Sequence, residues 1–206
     1  MATLFVGDVH ACADELRELL ALAKPDRVIF VGDMFNKGPD PDGTWKLIEE
    51  YGAEAVLGNH DRKVVALASE KKKKWRAPEA AIAWLEKLPL SIEGDGWLVV
   101  HAGIDPVRGL AHTSEDQLLT MRRWPDDDRA DNPFWWELYT GDRLVIYGHD
   151  AVRGLQDHRP HTLGLDSGCV YGRRLSGYLL EDDAILSVPA RAVYKEIGPS
   201  PFGAPA

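Results

Sequence analysis

Five short apolar runs in this chain break off alike. "TLFVGDVH", "DRVIFVGDMFNKG", "AEAVLGNHD", "WLVVHAGI" and "RLVIYGHD" each end a β-forming stretch on a carboxylate, imidazole or amide. An apolar run of this length closed by glycine reads as a buried strand. Helical spacing follows the first three. "ACADELRELLALA" sets Leu16, Leu19, Leu20 and Leu22 on a 3.6-residue period, "DGTWKLIEEYG" is a helix with Gly52 in the C-cap position, and "RKVVALASE" is a third helix. Three successive β-turn-α units predict a mostly parallel sheet covered by helices, with ligands outside the carboxyl ends of the strands.

Further along, "EAAIAWLEKL" reads as a helix. "HTLGLDSG" and "LSGYLLEDDAILSV" form a final set whose last two runs pair as an antiparallel hairpin. Between residues 103 and 143 the pattern dissolves into Asp, Pro and Trp, which reads as an insertion over the strand ends. The expected organisation is one domain over residues 1–196 and a flexible tail at 197–206, where "IGPSPFGAPA" has too little apolar content to order itself.

With 206 residues, 45% of them hydrophobic, the chain can bury a substantial core. No apolar stretch approaches the length of a membrane span, and a strand begins within a few residues of the N-terminus without a basic leader. The two cysteines, Cys12 and Cys169, are far apart and read as free thiols of a reducing compartment. A cytoplasmic protein with no membrane association is expected. The net charge of −9 opposes stable nucleic-acid binding, so a phosphorylated small molecule or peptide would need local positive charge.

Each polar strand end alone is commonly just a turn; five in one small domain are not. Together they bring Asp8, His10, Asp33, Asn59, His60, His101 and His149 to one edge of the sheet. Oxygen and nitrogen donors without thiolate suit Mn, Fe or Zn at a reactive site rather than a structural zinc cage, and a carboxylate such as Asp33 can bridge two ions. Two ions about 3.5 to 4 Å apart are the usual clamp for in-line displacement at phosphorus.

GDVH, GDMFNKG, GNHD, VVHAG and YGHD, in this order and at this spacing, resemble the calcineurin-like metallophosphoesterases, in the phosphoprotein-phosphatase branch. Within that branch "WLEKLPLSIEGDGWLVVHAGIDP" and "GLDSGCVYGRRLSGYLLED" are similar to the symmetrical diadenosine tetraphosphate hydrolases and ApaH-like phosphatases. The resemblance implies an α/β four-layer fold of central mixed sheets flanked by helices, with the active site at the strand C-terminal ends. It implies that Asp8, His10 and Asp33 hold one divalent metal and that Asp33, Asn59, His101 and His149 hold the other. Mn comes first among the candidates, with Fe, Zn, Co or Ni as alternatives. The implied reaction is direct attack of a metal-bridging hydroxide on phosphorus, with His60 as general acid.

The chain departs from the branch pattern in reading Asn36-Lys37 where the protein phosphatases read Asp-Arg. Asn36 can hold an imidazole tautomer but cannot pair with an imidazolium, unless Asp61 supplies the missing charge. Lys37 neutralises phosphate with less orientational control than Arg. A weakened acid favours an anhydride, whose leaving group needs little protonation. The expected activity is therefore symmetrical cleavage of dinucleoside polyphosphates, Ap4A to two ADP. The alternatives are a Ser/Thr or Tyr phosphoprotein phosphatase with broad phosphomonoesterase activity and, from another class, a non-catalytic nucleotide-binding sensor. Arg62, Arg122 and Lys37 are candidate phosphate contacts, with Arg123 the substitute for Arg122. The basic run "EKKKKWR" at 70–76 reads as a solvated helix end. Trp135 and Trp136 lie about 100° apart on a helix, so one belongs to the core, while the other, or Tyr171, is free to stack on a base.

Overall fold

The computed structural model describes residues 1–69, 77–127 and 129–197. The basic run at 70–76 and the tail from 198 onward lie outside the described residues. Strand and helix alternate first as β1 (Thr3–Val6), α1 (Ala13–Ala23), β2 (Arg27–Phe30), α2 (Pro41–Tyr51), β3 (Glu54–Ala55) and α3 (Asn59–Ser69). Next come α4 (Glu79–Leu85), β4 (Ser91–Gly94) and β5 (Trp97–Val100), then α5 (Glu115–Thr120) and α6 (Trp135–Leu138). The chain continues through β6 (Leu144–Tyr147), β7 (Gln156–His158), β8 (Thr162–Gly164), β9 (Arg174–Leu179) and β10 (Ala184–Pro189).

Local signals explain the helix ends. The Asp40 carboxylate caps α2 by accepting from the Gly43 N–H at 2.8 Å, Pro41 opens the first turn, and Gly52 closes the helix at φ 54°. α1 buries Leu16, Leu19 and Leu20, but Leu22, on the same expected stripe, is 55% exposed. α3 starts earlier than its apolar pattern does, at Asn59, so the polar Asn-His-Asp motif forms the first turn of the helix.

One mostly parallel sheet is not what forms. There are two five-stranded mixed sheets, ordered β10-β9-β1-β2-β3 and β4-β5-β6-β8-β7. In the first, β1, β2 and β3 run parallel, and the expected β9/β10 hairpin adds antiparallel to β1. In the second, β5, β6 and β8 are parallel between antiparallel edges β4 and β7. The reason lies in alternation. Leu4, Val6, Val28 and Phe30 face one cluster with α1 and α2, whereas Phe5, Ile29 and Val31 face Val99, Ile146 and Leu163 of the other sheet. Leu98, Val100, Val145 and Tyr147 face a third cluster outside. Strands apolar on both sides need a layer on each, and stacking the sheets provides it. The result is a four-layer α/β fold with its innermost core between the sheets, where Phe5 meets Trp97 edge-on at 5.0 Å.

Residues 103–143 pack on the outer face of the second sheet. Both tryptophans of α6 are buried there, Trp135 fully and Trp136 at 4% exposure. The Trp135 indole N–H donates to the Ala102 carbonyl at 3.0 Å, and Trp136 stacks on Phe134 at 4.5 Å and on Tyr147 at 5.5 Å. Neither is free to receive a base, contrary to the expectation for one of them, because Trp135 is fully buried and Phe134 and Tyr147 stack on Trp136. Cys12 and Cys169 are both free and buried. No helix among the described residues is long and apolar enough to cross a membrane.

Candidate metal centre

Register brings the polar strand ends level. Val6 pairs with Phe30 and Val99 with Ile146, so Asp8 and Asp33 leave one sheet, and His101 and His149 the other, at the same height. The turns that present them are tight. His10, Asp33, Asn36, Lys37 and His149 all have positive φ, between 47° and 82°, a backbone cost that concentrates where side chains must be aimed. Gly148 lies so close that a Cβ there would overlap the Asp8 carboxylate.

The histidines are oriented by their other nitrogen. His101 donates from Nδ1 to the Val31 carbonyl at 2.8 Å, which leaves the Nε2 lone pair 3.2 Å from Asn59 Oδ1 and 3.6 Å from Asp33 Oδ1. His10 Nδ1 faces the Phe35 carbonyl at 3.4 Å, and its Nε2 is 3.7 Å from Asp33 Oδ2. His149 donates from Nε2 to the Thr120 carbonyl at 3.1 Å, leaving its Nδ1 as the free lone pair. The two Asp33 oxygens thus face different imidazoles, an arrangement open to a carboxylate shared by two ions. Ligating atoms of Asp8, Asp33 and His101 lie within 4.8 Å of one another, all buried.

This donor set fits cations. Where His101 and the half-buried Asn59 meet, lone pairs converge without a proton between them: His101 Nε2 and Asn59 Oδ1 are both acceptors. The Lys37 ammonium, 3.0 Å from His10 Nε2, already places a positive charge on one donor. Burial, with Asp166 and Asp33 close by, pushes the Asp8 carboxyl well up. Burial also raises Asp33, but His101, His10, His60 and Lys37 together bring it below the usual carboxylate range. Burial and Lys37 hold His10 down at about 3, and burial first of all lowers His101 and His149. The imidazoles are therefore neutral and able to ligate.

His60 stands beside this cluster. Its backbone N–H donates to Asp33 Oδ1 at 2.8 Å, and its Nδ1 is 3.0 Å from the Asn36 amide nitrogen. The Asn36 amide is oriented by the Lys37 backbone N–H, which donates to Asn36 Oδ1 at 2.7 Å. Asn36 Nδ2 is then the donor and His60 Nδ1 the acceptor, so the neutral ring carries its proton on Nε2. Asp61 does not supply a counter-charge to His60. Its fully buried carboxylate accepts the Met34 and Phe35 N–H groups at 3.2 Å each, and burial with Asp33 nearby raises it to about 8.

The Lys37 ammonium also lies 5.3 Å above the Tyr171 ring, which brings Tyr171 beside the centre. Arg122 donates to the His149 carbonyl at 3.2 Å and lies 3.8 Å from Asp150. It lines a cavity of about 340 Å³ together with Thr120, Arg123, Asp126 and Arg129. Arg123 instead bonds the Asn132 carbonyl and sits 4.1 Å over Phe134. Arg62 reaches Glu115 and Asp116 of α5, at 3.6 and 3.3 Å, tying α3 to the insertion. Sequence reasoning passes over Asp166, which is 4% exposed, acts on Asp8, and is raised to about 6 mainly by burial. "LGLDSG" carries the same signal as the other strand ends and could have revealed it.

The family model for the calcineurin-like phosphoesterases matches residues 1–187. Symmetrical bis(5'-nucleosyl)-tetraphosphatases are among the relatives. The one from Vibrio parahaemolyticus is 36% identical, covering 92% of this chain and 99% of its own. That from Aromatoleum aromaticum is 28% identical, covering 92% and 97%. A crystal structure of a protein assigned as a diadenosine tetraphosphatase superposes with a TM-score of 0.85 at 34% identity, over 92% of this chain and 93% of that one.

Proposed function

Because this chain belongs to the calcineurin-like phosphoesterase family, and is an enzyme of that class, we propose that it hydrolyses dinucleoside polyphosphates symmetrically, Ap4A to two ADP. Asp8, His10 and Asp33 would hold one divalent cation and Asp33, Asn59, His101 and His149 the other, Mn being the first candidate. Cations bound there supply Lewis acidity, neutralising phosphate oxygens and making water nucleophilic near neutral pH. The protein's own groups do the rest. Lys37, beside His10, and Arg122, held by the His149 carbonyl, neutralise phosphate oxygens. Tyr171, beside the Lys37 ammonium, and Arg62 are the further candidate substrate contacts.

The observation that carries the choice of substrate is the bond between Asn36 and His60. It fixes the proton of the neutral ring on His60 Nε2, which makes His60 a hydrogen-bond donor and not an imidazolium. A serine alkoxide, whose conjugate acid resembles water at about 15.7, needs a full proton. A departing nucleoside diphosphate protonates only at about 6, and a hydrogen bond suffices. The relatives named for Ap4A hydrolysis support the same substrate class. Incubation with Ap4A and Mn, followed by separation of nucleotides, tests it: ADP as sole product is expected, and ATP with AMP, or faster turnover of a phosphopeptide, would refute it.

A further inference from the structure

Cys12, at the capping position of α1, Glu15 in its first turn and Cys169 in the turn before β9 are all buried, with no more than 1% exposure. The sequence separates the two thiols widely, yet both sulfurs and a carboxylate oxygen of Glu15 lie within 4.8 Å of one another. The two oxygens of Glu15 are treated differently. Oε1 accepts from the Arg191 backbone N–H and from the Tyr194 hydroxyl, each at 2.8 Å. Among the described residues Oε2 is buried without a hydrogen-bond partner, a state that native structures avoid unless something else satisfies the group.

We propose that Cys12, Glu15 and Cys169 form a second cation site, separate from the histidine and aspartate centre, which takes a soft divalent ion of the zinc class as a structural staple. Two sulfurs with one carboxylate select such an ion over Mn or Mg, and a cation gives the orphaned oxygen the partner it lacks. The hydrogen bond with the Cys12 sulfur, and burial after it, push the Cys169 thiol up, so this thiol stays protonated in the absence of a cation. A coordinated dication reverses that balance and releases the proton as the chain folds around it. The His10 carbonyl, 3.9 Å from Cys12 Sγ, offers a further oxygen donor beside the pair.

The position suits a staple. Cys12 and Glu15 belong to α1 near the start of the chain, and Cys169 lies between β8 and β9. Glu15 also holds the 191–194 segment, which hangs in turn from the Val170 carbonyl through the Tyr194 N–H at 3.1 Å. A bond across such a long loop restricts the unfolded chain strongly. The catalytic reading is not needed for this site, and its failure would leave the staple untouched.

Cobalt substitution separates the two centres, because thiolate-to-cobalt charge transfer in the near ultraviolet cannot arise from the nitrogen and oxygen donors of the other. The full chain, stripped of metal in denaturant and refolded with Co²⁺, should show this band together with one further equivalent of metal. Cys169→Ser should lose the band and the extra equivalent while keeping the weaker visible bands of the histidine centre. Should Cys169→Ser not fold, Glu15→Gln decides, with an expected shift of the band and loss of the rise in melting temperature that Zn²⁺ produces in the wild type. A refolded wild type without the band, a band unchanged in both variants, or a Cys12–Cys169 disulfide in protein purified under reducing conditions would overturn the proposal.

Discussion

Asn36→Asp replaces one atom group and inverts the hydrogen bond to His60. The residue keeps positive φ, which Asp adopts nearly as readily as Asn, and one carboxylate oxygen can still accept the Lys37 N–H. The other oxygen lies where the amide nitrogen now donates to His60 Nδ1 across 3.0 Å. An acceptor there demands a proton on Nδ1 and favours the imidazolium. Burial foremost, then Lys37 and Lys63, against the pull of Asp33, hold His60 at about 4, so the ring is neutral at pH 7. A carboxylate at this range raises an imidazole by roughly 1 to 3 units, multiplying the imidazolium population at neutral pH about ten-fold to several hundred-fold. A general acid contributes about 10² to 10⁴-fold where the leaving group needs its proton and little where it does not. The ratio of kcat/KM for a phosphoserine peptide to that for Ap4A should therefore rise by roughly tenfold or more, each tenfold being about 1.4 kcal/mol of differential transition-state stabilisation. Lys37→Arg added to it should raise the ratio further, through two-point contact with a terminal phosphate. Steady-state assays on both substrates, with metal content measured beside them, decide the matter. A ratio that stays flat or falls at full metal occupancy refutes the argument from Asn36 to anhydride chemistry.

Asp33→Asn should abolish turnover and release metal, since its two oxygens serve different imidazoles; near wild-type activity with full metal content would show that Asp33 does not bridge. His60→Ala should slow Ap4A hydrolysis by roughly 10- to 100-fold, the worth of one hydrogen bond to a charged oxygen at about 1.5–3 kcal/mol. A loss of about 10⁴ or more in single-turnover kinetics would instead make His60 a full proton donor. Arg122→Ala should raise KM for Ap4A, while Arg123→Ala, which loosens the insertion, should lower the melting temperature first; the reverse pattern would exchange their roles. Trp135→Ala should cost about 3–5 kcal/mol in chemical denaturation and leave the KM of the surviving folded protein unchanged, and a large KM effect would mean that the α6 layer contacts substrate after all.

Much of this molecule is legible one strand at a time. The short apolar runs "TLFV", "VIFV", "WLVV" and "LVIY" specify buried strands, and Gly-Asp, Gly-Asn-His and Gly-His specify where the chain must turn and what it then exposes. The candidate ligands follow, because they are the groups that stand at those turns, and Gly52 ends α2 for reasons confined to one turn of helix. These are short-range properties, set by φ/ψ preferences and by spacing along the chain. Number and stacking of sheets are different. The same apolar strands could be covered by helices or by a second sheet, and only the packing of Phe5, Ile29 and Val31 against Val99, Ile146 and Leu163 selects the second.

Side-chain direction was likewise decided in three dimensions. The presence of an amide at Asn36 does not say which atom meets His60; the Lys37 N–H decides it, by holding Asn36 Oδ1. Asp61, adjacent to His60 in sequence, is one helical step away from it in direction and closes on the Met34 and Phe35 amides instead. Helical spacing puts one of Trp135 and Trp136 in the core, yet both are buried, with Trp136 against Phe134 and Tyr147. Cys12 and Cys169 come together only because β9 returns beside β1. Spacing along a chain determines which groups can stand on one face of one element, whereas contacts between elements depend on how whole layers pack, and that is settled by the burial of many distant residues at once.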